Sequence, residues 1–199
     1  MSALAHDCRQ HLAHDAPPQA ELPAVDVAVT TLPYFRDKAE AIATLPVYAT
    51  TASAGPPQVH LIGYDTLIRI LNPKYYPPHH NLEPLAPFLK RHRLRVTYRT
   101  DAAWGSLADQ AQYVKDLAEG KREHEGGQRA WADRIELVAG RAEGEETVSS
   151  TKVRDAVARG DEETLHRLVT PGVSAWILSE QLYQSSEQEQ VKQGRRRAA

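Results

Sequence analysis

The sequence predicts an α/β fold built on a mostly parallel sheet, and three observations carry that expectation. Gln58–Ile62, Leu94–Tyr98 and Ile135–Ala139 are short apolar runs that read as strands. Between them lie segments whose apolar residues recur at helical spacing. Strands alternating with helices imply crossover connections, hence parallel neighbours and a sheet covered on both faces.

Taken in order, residues 2–14 place Leu4, Cys8 and Leu12 on one face of a short helix. Pro17, Pro18 and Pro23 mark a loose stretch, and Val25–Thr31 is β-branched and apolar enough to read as a strand. Pro33-Tyr34 leads into a helix over 35–44, and Val47–Thr51 admits a short strand. After Gln58–Ile62 comes Gly63, then a helix over 65–71 and a loop, NPKYYPPHHN, rich in proline and aromatics. Leu82, Leu85, Ala86 and Leu89 mark the next helix; Leu107, Ala111, Val114 and Ala118 mark another. GKREHEGGQ reads as a flexible surface loop. Three short helices follow, at about 150–159, 161–168 and 171–183. Residues 1–183 are expected to form one domain with a single core, and 184–199, ending in RRRAA, a disordered tail.

Charge and composition exclude several classes. Lys plus Arg number 24 and Asp plus Glu 26, so nothing calls for a nucleic-acid or membrane partner. Cys8 is the only cysteine, which rules out a disulfide framework. No apolar run approaches the ~18 residues of a membrane span, and the first 15 residues lack the apolar core of a secretory signal. A cytoplasmic or nuclear protein is expected; a homo-oligomer is compatible with the sequence. His6, His11 and His14 show no HExxH-like arrangement and His79-His80 reads as solvent-facing, so no metal ligands are assigned.

Chemistry gathers at four places. Ser149 or Ser150 is a natural helix N-cap, yet Lys152 and Arg154 put positive charge beside the positive end of the helix dipole. That pattern fits either an ordinary surface helix or a cradle of N–H groups, hydroxyls and cations for a phosphate. Gly63 and Asp65 follow the best strand, suited to capping the next helix or to close approach and a ribose hydroxyl. Tyr75 and Tyr76, between prolines, fit a stacking platform or a lid over the core. Arg99 follows a strand and reads as an exposed loop arginine or a phosphate partner. In an open parallel sheet, ligands bind beyond the carboxyl ends of the strands.

Together these residues resemble the nicotinamide-nucleotide adenylyltransferases. VSSTKVRDAVARGDEETLHRLVTPGVSAWILSEQLY is similar to the family's carboxyl-terminal part, with Ser149, Ser150, Thr151 and Arg154 on its I-S-S-T-x-x-R motif and Lys152 on a lysine of many members. Gly63-x-Asp65 falls on its Gly-x-Asp, Tyr75-Tyr76 on a residue pair beside the nicotinamide ring, and Arg99 on an arginine after the following strand. The likeness spans about residues 25–183, with PYFRDK and GYDTLIRIL pointing to a divergent eukaryotic branch.

The resemblance implies a Rossmann-like nucleotidyltransferase fold and transfer of the adenylyl group of ATP to nicotinamide mononucleotide, giving NAD and pyrophosphate. ATP would arrive with Mg²⁺ as a substrate complex, with no metal bound by the protein itself. Gly63, Asp65, Ser150, Thr151, Lys152 and Arg154 would bind ATP, Lys152 and Arg154 acting in catalysis. Tyr75, Tyr76, Arg99 and Lys38 would bind the nicotinamide nucleotide. The family's G-x-F-x-P-x-H-x-G-H motif, on its first and central strand, has no counterpart here, and residues 2–14 resemble the later part of the helix after it. The expected consequence is a gap between Val25–Thr31 and Gln58–Ile62. The alternatives are a nucleotide-binding fragment or paralogue without turnover, and a transferase with another acceptor, as in a cytidylyltransferase.

Overall fold

The computed structural model describes residues 2–17, 19–48, 55–100, 102–140 and 148–183. The expected disordered tail at 184–199 lies outside them, as does the segment 49–54, which holds the end of the strand expected over Val47–Thr51. The chain divides into two compact units, residues 30–145 and, from both ends of the sequence, 1–29 with 146–199. Each has its own hydrophobic cluster, where length alone suggested a single core.

The unit of residues 30–145 contains a three-stranded parallel sheet, ordered β1 (Val59–Gly63), β2 (Arg93–Thr97), β3 (Ile135–Val138). The register sets Ile62 against Val96 and Val96 against Leu137. Its helices are α2 (Phe35–Thr44), α3 (Tyr64–Ile70), α4 (Ala86–Arg91) and α5 (Leu107–Ala118). Period two along each strand sends Ile62, Leu94, Val96 and Ile135 into one core with Leu67, Leu89, Leu117 and Trp131. Burying each of these leucines and valines stabilises the unit by about 1.5–3 kcal/mol.

The opposite face departs from expectation. Val59, Leu61, Arg93, Arg95 and Glu136 are all exposed, Leu61 at 77%, so the described residues cover this sheet on one face rather than two. Nor does Val25–Thr31 join it: the segment pairs with no strand, and Val29 is 95% exposed. β-branched composition favours a pleated, half-buried surface, and without a neighbouring strand it makes no element by itself. β1 is accordingly an edge strand among the described residues. Val47-Tyr48, read as the start of a strand, instead closes a 3-10 turn that begins at Pro46.

GKREHEGGQ is likewise tied down. Arg122 donates to the Leu71 carbonyl at 2.9 Å, to the Tyr113 hydroxyl and to Glu125, and the Glu125 carbonyl accepts from the Leu82 N–H. The polar residues that made this loop look mobile are the ones that anchor it.

In the other unit, α1 (Ser2–Asp15), α6 (Ser150–Arg159), α7 (Glu162–Leu168) and α8 (Pro171–Ser179) are all helical. Gly160, at φ 69°, ends α6 in the left-handed region that glycine tolerates best, and Asp161 caps α7 by accepting from the Thr164 N–H at 3.0 Å. Val153, Ala156, Val157, Leu165, Leu168 and Ile177 form the cluster. α1 buries no residue, and Leu4, Cys8 and Leu12 stay exposed. What ties α1 down is polar: Asp7 accepts from the Gly172 N–H at the start of α8, at 2.9 Å.

Candidate functional site

β1 passes into α3 without a loop, so Gly63 ends the strand and Asp65 stands in the first turn of the helix. Free N–H groups at a helix start favour a carboxylate there. β2, the next strand, ends at Thr97, and Arg99 follows two residues later. The parallel arrangement therefore brings Asp65 and Arg99 to the same, carboxyl, edge of the sheet. Arg99 Nε donates to Asp65 Oδ1 at 2.8 Å and Nη2 lies 2.6 Å from the same oxygen. Asp65 is mostly buried and Arg99 is exposed.

Gly63 makes this possible through space, not conformation. Its φ of −88° suits any residue. A Cβ there, however, would lie 2.6 Å from Asp65 Oδ1 and 3.3 Å from Arg99 Nη2. Three of the residues singled out from the sequence thus converge on one spot at the strand ends.

The tyrosine pair splits. Tyr75 is 38% exposed, with Lys74 Nζ 4.9 Å from its ring centroid. Tyr76 is 6% exposed and its hydroxyl donates to the Ile70 carbonyl at 2.7 Å. Burial pushes that hydroxyl's pKa up to about 12. Its ring stands 6.2 Å from that of Tyr34, with the Arg36 guanidinium 5.8 Å from its centroid. Lys38, on α2, is half-buried with its ammonium 5.1 Å from the Phe35 ring centroid. His79 and His80 face solvent, as expected.

In the other unit, Ser149 is the N-cap of α6, and its hydroxyl accepts from the Lys152 N–H at 3.2 Å. Ser150, Thr151, Lys152 and Arg154 all fall in the opening turns; Arg154 is exposed and reaches Thr151 Oγ1 at 3.4 Å. Cations at a helix start with no acid in its first turn offer a site suited to anions.

Sequence reading passed over Gln110 and Trp104. Gln110 sits between the marked apolar positions of α5, yet it is wholly buried. Trp104 lies in a one-turn 3-10 helix (Ala102–Trp104), its ring edge-on to that of Tyr64 at 6.3 Å. It also missed a cleft of about 550 Å³ in the unit of residues 30–145, lined by Arg36, Asp37, Glu40, Phe88, Arg91 and His92 among others. None of the residues assigned from the sequence lines it.

Comparison with known proteins bears on this geometry. The chain is 32% identical over 146 residues, 73% of its length, to a Schizosaccharomyces pombe protein named "Putative nicotinamide mononucleotide adenylyltransferase". The chain resembles the nicotinamide-nucleotide adenylyltransferases. The match takes in 54% of that relative, so the chain spans about half the length of the curated relative it matches. No protein-family model and no solved structure matches. The α/β architecture with its parallel sheet is consistent with the Rossmann-like nucleotidyltransferase fold that this resemblance implies. Among the described residues no helix is long and apolar enough to cross a membrane.

Proposed function

We propose that the protein is a nucleotidyltransferase that moves the adenylyl group of ATP to nicotinamide mononucleotide. The observation that carries this reading is the convergence of Gly63, Asp65 and Arg99 at the carboxyl ends of adjacent parallel strands, in a chain similar to a relative of that name. In the reaction, a 5′-phosphate oxygen of the mononucleotide attacks the α-phosphorus of ATP. The bond from that phosphorus to the bridging oxygen breaks, and pyrophosphate leaves with the electron pair. Mg²⁺ enters with ATP as part of the substrate. No covalent intermediate on the protein is needed, so the side chains act by positioning and by offsetting charge.

Asp65 accepts from an ATP ribose hydroxyl, and Gly63 lets the sugar lie close to the backbone. Ser150, Thr151, Lys152 and Arg154, at the start of α6, are suited to bind phosphate oxygens, Lys152 and Arg154 offsetting charge on a leaving pyrophosphate. Arg99 and Lys38 serve the acceptor nucleotide. Tyr75 offers its exposed ring to the nicotinamide, while Tyr76 anchors the same loop from the core.

The test is pyrophosphate release by the purified protein supplied with Mg²⁺, ATP and nicotinamide mononucleotide. The expected result is NAD formed in step with pyrophosphate. Nucleotide binding without turnover would leave a non-catalytic nucleotide-binding protein, and faster turnover with CTP would reassign the donor. Either outcome overturns the proposal.

A further inference from the structure

We propose that Gln110 is the positioning residue of the Asp65–Arg99 pair, holding the arginine in place through its backbone. The inference rests on the nucleotide site proposed above and extends it inward from the residues that would touch ligand. Gln110 lies on α5 with 0% of its surface exposed. Its Oε1 accepts from the Arg99 N–H at 3.0 Å, and its Nε2 donates to the Arg99 carbonyl at 2.7 Å. Nε2 also lies 3.4 Å from the Gly105 carbonyl.

These bonds have the pattern of strand pairing. The backbone pairing of β2 with β3 runs on to the Tyr98 N–H, which donates to the Val138 carbonyl at 3.1 Å. At the next residue the chain leaves the sheet, and one side-chain amide takes both backbone groups of Arg99 in place of a neighbouring strand. The site-facing side chain is thereby fixed at its root. The loop from Arg99 to Gly105 is bracketed at both ends by the same amide, and it docks on the Gly63–Asp65 turn twice: Arg99 on Asp65, and Trp104 edge-on against Tyr64.

The start of α5 does not need this residue. Ser106 and Asp109 already close a capping box, with the Asp109 N–H donating to Ser106 Oγ at 3.1 Å. A buried amide is costly unless its groups are bonded, and an apolar side chain would fill the same space without that demand. What the amide supplies, and an apolar residue would not, is the placement of Arg99.

Two variants of the full chain test this. Gln110→Met keeps length and volume but removes the bonds. Gln110→Glu keeps the acceptor for the Arg99 N–H and sets a carboxylate against the two carbonyls. The first readout needs no ligand: the Arg99 side-chain Nε–H cross-peak in nitrogen–proton spectra, assigned by its loss in Arg99→Lys. It is expected to be slow to exchange in the native protein and lost or exchange-broadened in both variants, with the rest of the spectrum dispersed. A cross-peak unchanged in either folded variant overturns the proposal.

The second readout is calorimetric affinity for nicotinamide mononucleotide, the nucleotide that Arg99 is proposed to serve. Gln110→Met is expected to weaken it about tenfold in the native background and less than twofold on Arg99→Ala, while lowering the melting temperature equally in both. A purely structural role would weaken binding by the same factor in each background, and that result also overturns it. If the native protein binds no nucleotide, the function proposed above falls, and the cross-peak alone decides whether Gln110 positions Arg99.

Discussion

Asp65 and Arg99, 34 residues apart in sequence, share one carboxylate oxygen across the ends of neighbouring strands, at 2.6 Å from Nη2 and 2.8 Å from Nε. The pair satisfies an acid that is mostly buried while leaving the guanidinium open to solvent, so a ligand can reach both. Because Arg99 is exposed, the pair itself adds little to stability. Asp65→Ala is therefore expected to leave the melting temperature within a few degrees of native. Loss of a charged acceptor for a ribose hydroxyl, about 1.5–3 kcal/mol, should weaken Mg²⁺-ATP binding roughly 10- to 150-fold. Calorimetric titration measures this; native-like affinity in Asp65→Ala would place the ribose elsewhere.

Gly63→Ala probes the same spot by crowding it. The new methyl would meet Asp65 Oδ1 at 2.6 Å, and the aspartate, with only two side-chain torsions, must turn away from Arg99. Backbone strain plays no part, since φ is −88°. The expected outcome is an Mg²⁺-ATP affinity at least tenfold weaker with only a small fall in the thermal midpoint. A variant that binds as the native protein does would show that the pair tolerates displacement and that Gly63 is not needed for close approach.

Most of this architecture was legible in the sequence because its signals are local. The apolar residues spaced along 107–118 gave α5, and the run of residues before Gly63 gave β1 to within one position. A serine cap, Ser149 or Ser150, followed from side-chain chemistry alone, and the structure puts it at Ser149. What failed depended on partners. Val25–Thr31 has strand composition, but composition does not supply a neighbour. Leu4, Cys8 and Leu12 describe a stripe that remains exposed, while α1 is tied by Asp7 to Gly172 across 165 residues. Gln110 and Tyr76 show the same limit within the site. The tyrosines on the proline-rich loop fit either stacking or packing over the core, and a glutamine between apolar positions gave no signal; tertiary hydrogen bonds put Tyr76 and Gln110 in the interior.

His60 makes the fold acid-sensitive. Its Nε2 is buried without a hydrogen-bond partner among the described residues, and its ring lies between Phe35, Phe88 and His92. Burial first, then the nearby His92 and Lys38, lower its pKa to about 4. An unfolded histidine titrates near 6.5, so between roughly pH 6.5 and 4 the unfolded chain binds more protons than the folded one. Stability is complete above that window and declines as pH falls through it, by about 1–2 kcal/mol once the partly accessible ring is allowed for. His92, lowered by burial and by Arg91, acts in the same direction. Thermal midpoints at pH 7.5, 6 and 4.5 should fall in sequence, and His60→Phe, which keeps the ring contacts, should flatten the profile. An unchanged slope in His60→Phe would assign the acid sensitivity to other groups.

Arg154 offers a test in which stability and activity move apart. It sits in the opening turns of α6, where the helix dipole favours acids and disfavours cations. Among the described residues it reaches Thr151 Oγ1 at 3.4 Å, too long to offset that. Arg154→Ala relieves the unfavourable charge, by up to about 1 kcal/mol, and installs a strong helix former. The thermal midpoint should hold or rise by about 1–4 °C. If the guanidinium instead offsets charge on the departing pyrophosphate, the same change should cut pyrophosphate release at least 100-fold. Calorimetry and a pyrophosphate assay on one preparation settle both halves. A residue kept for folding would show the reverse, a lower midpoint with turnover preserved, and the phosphate-binding role of α6 would then be lost.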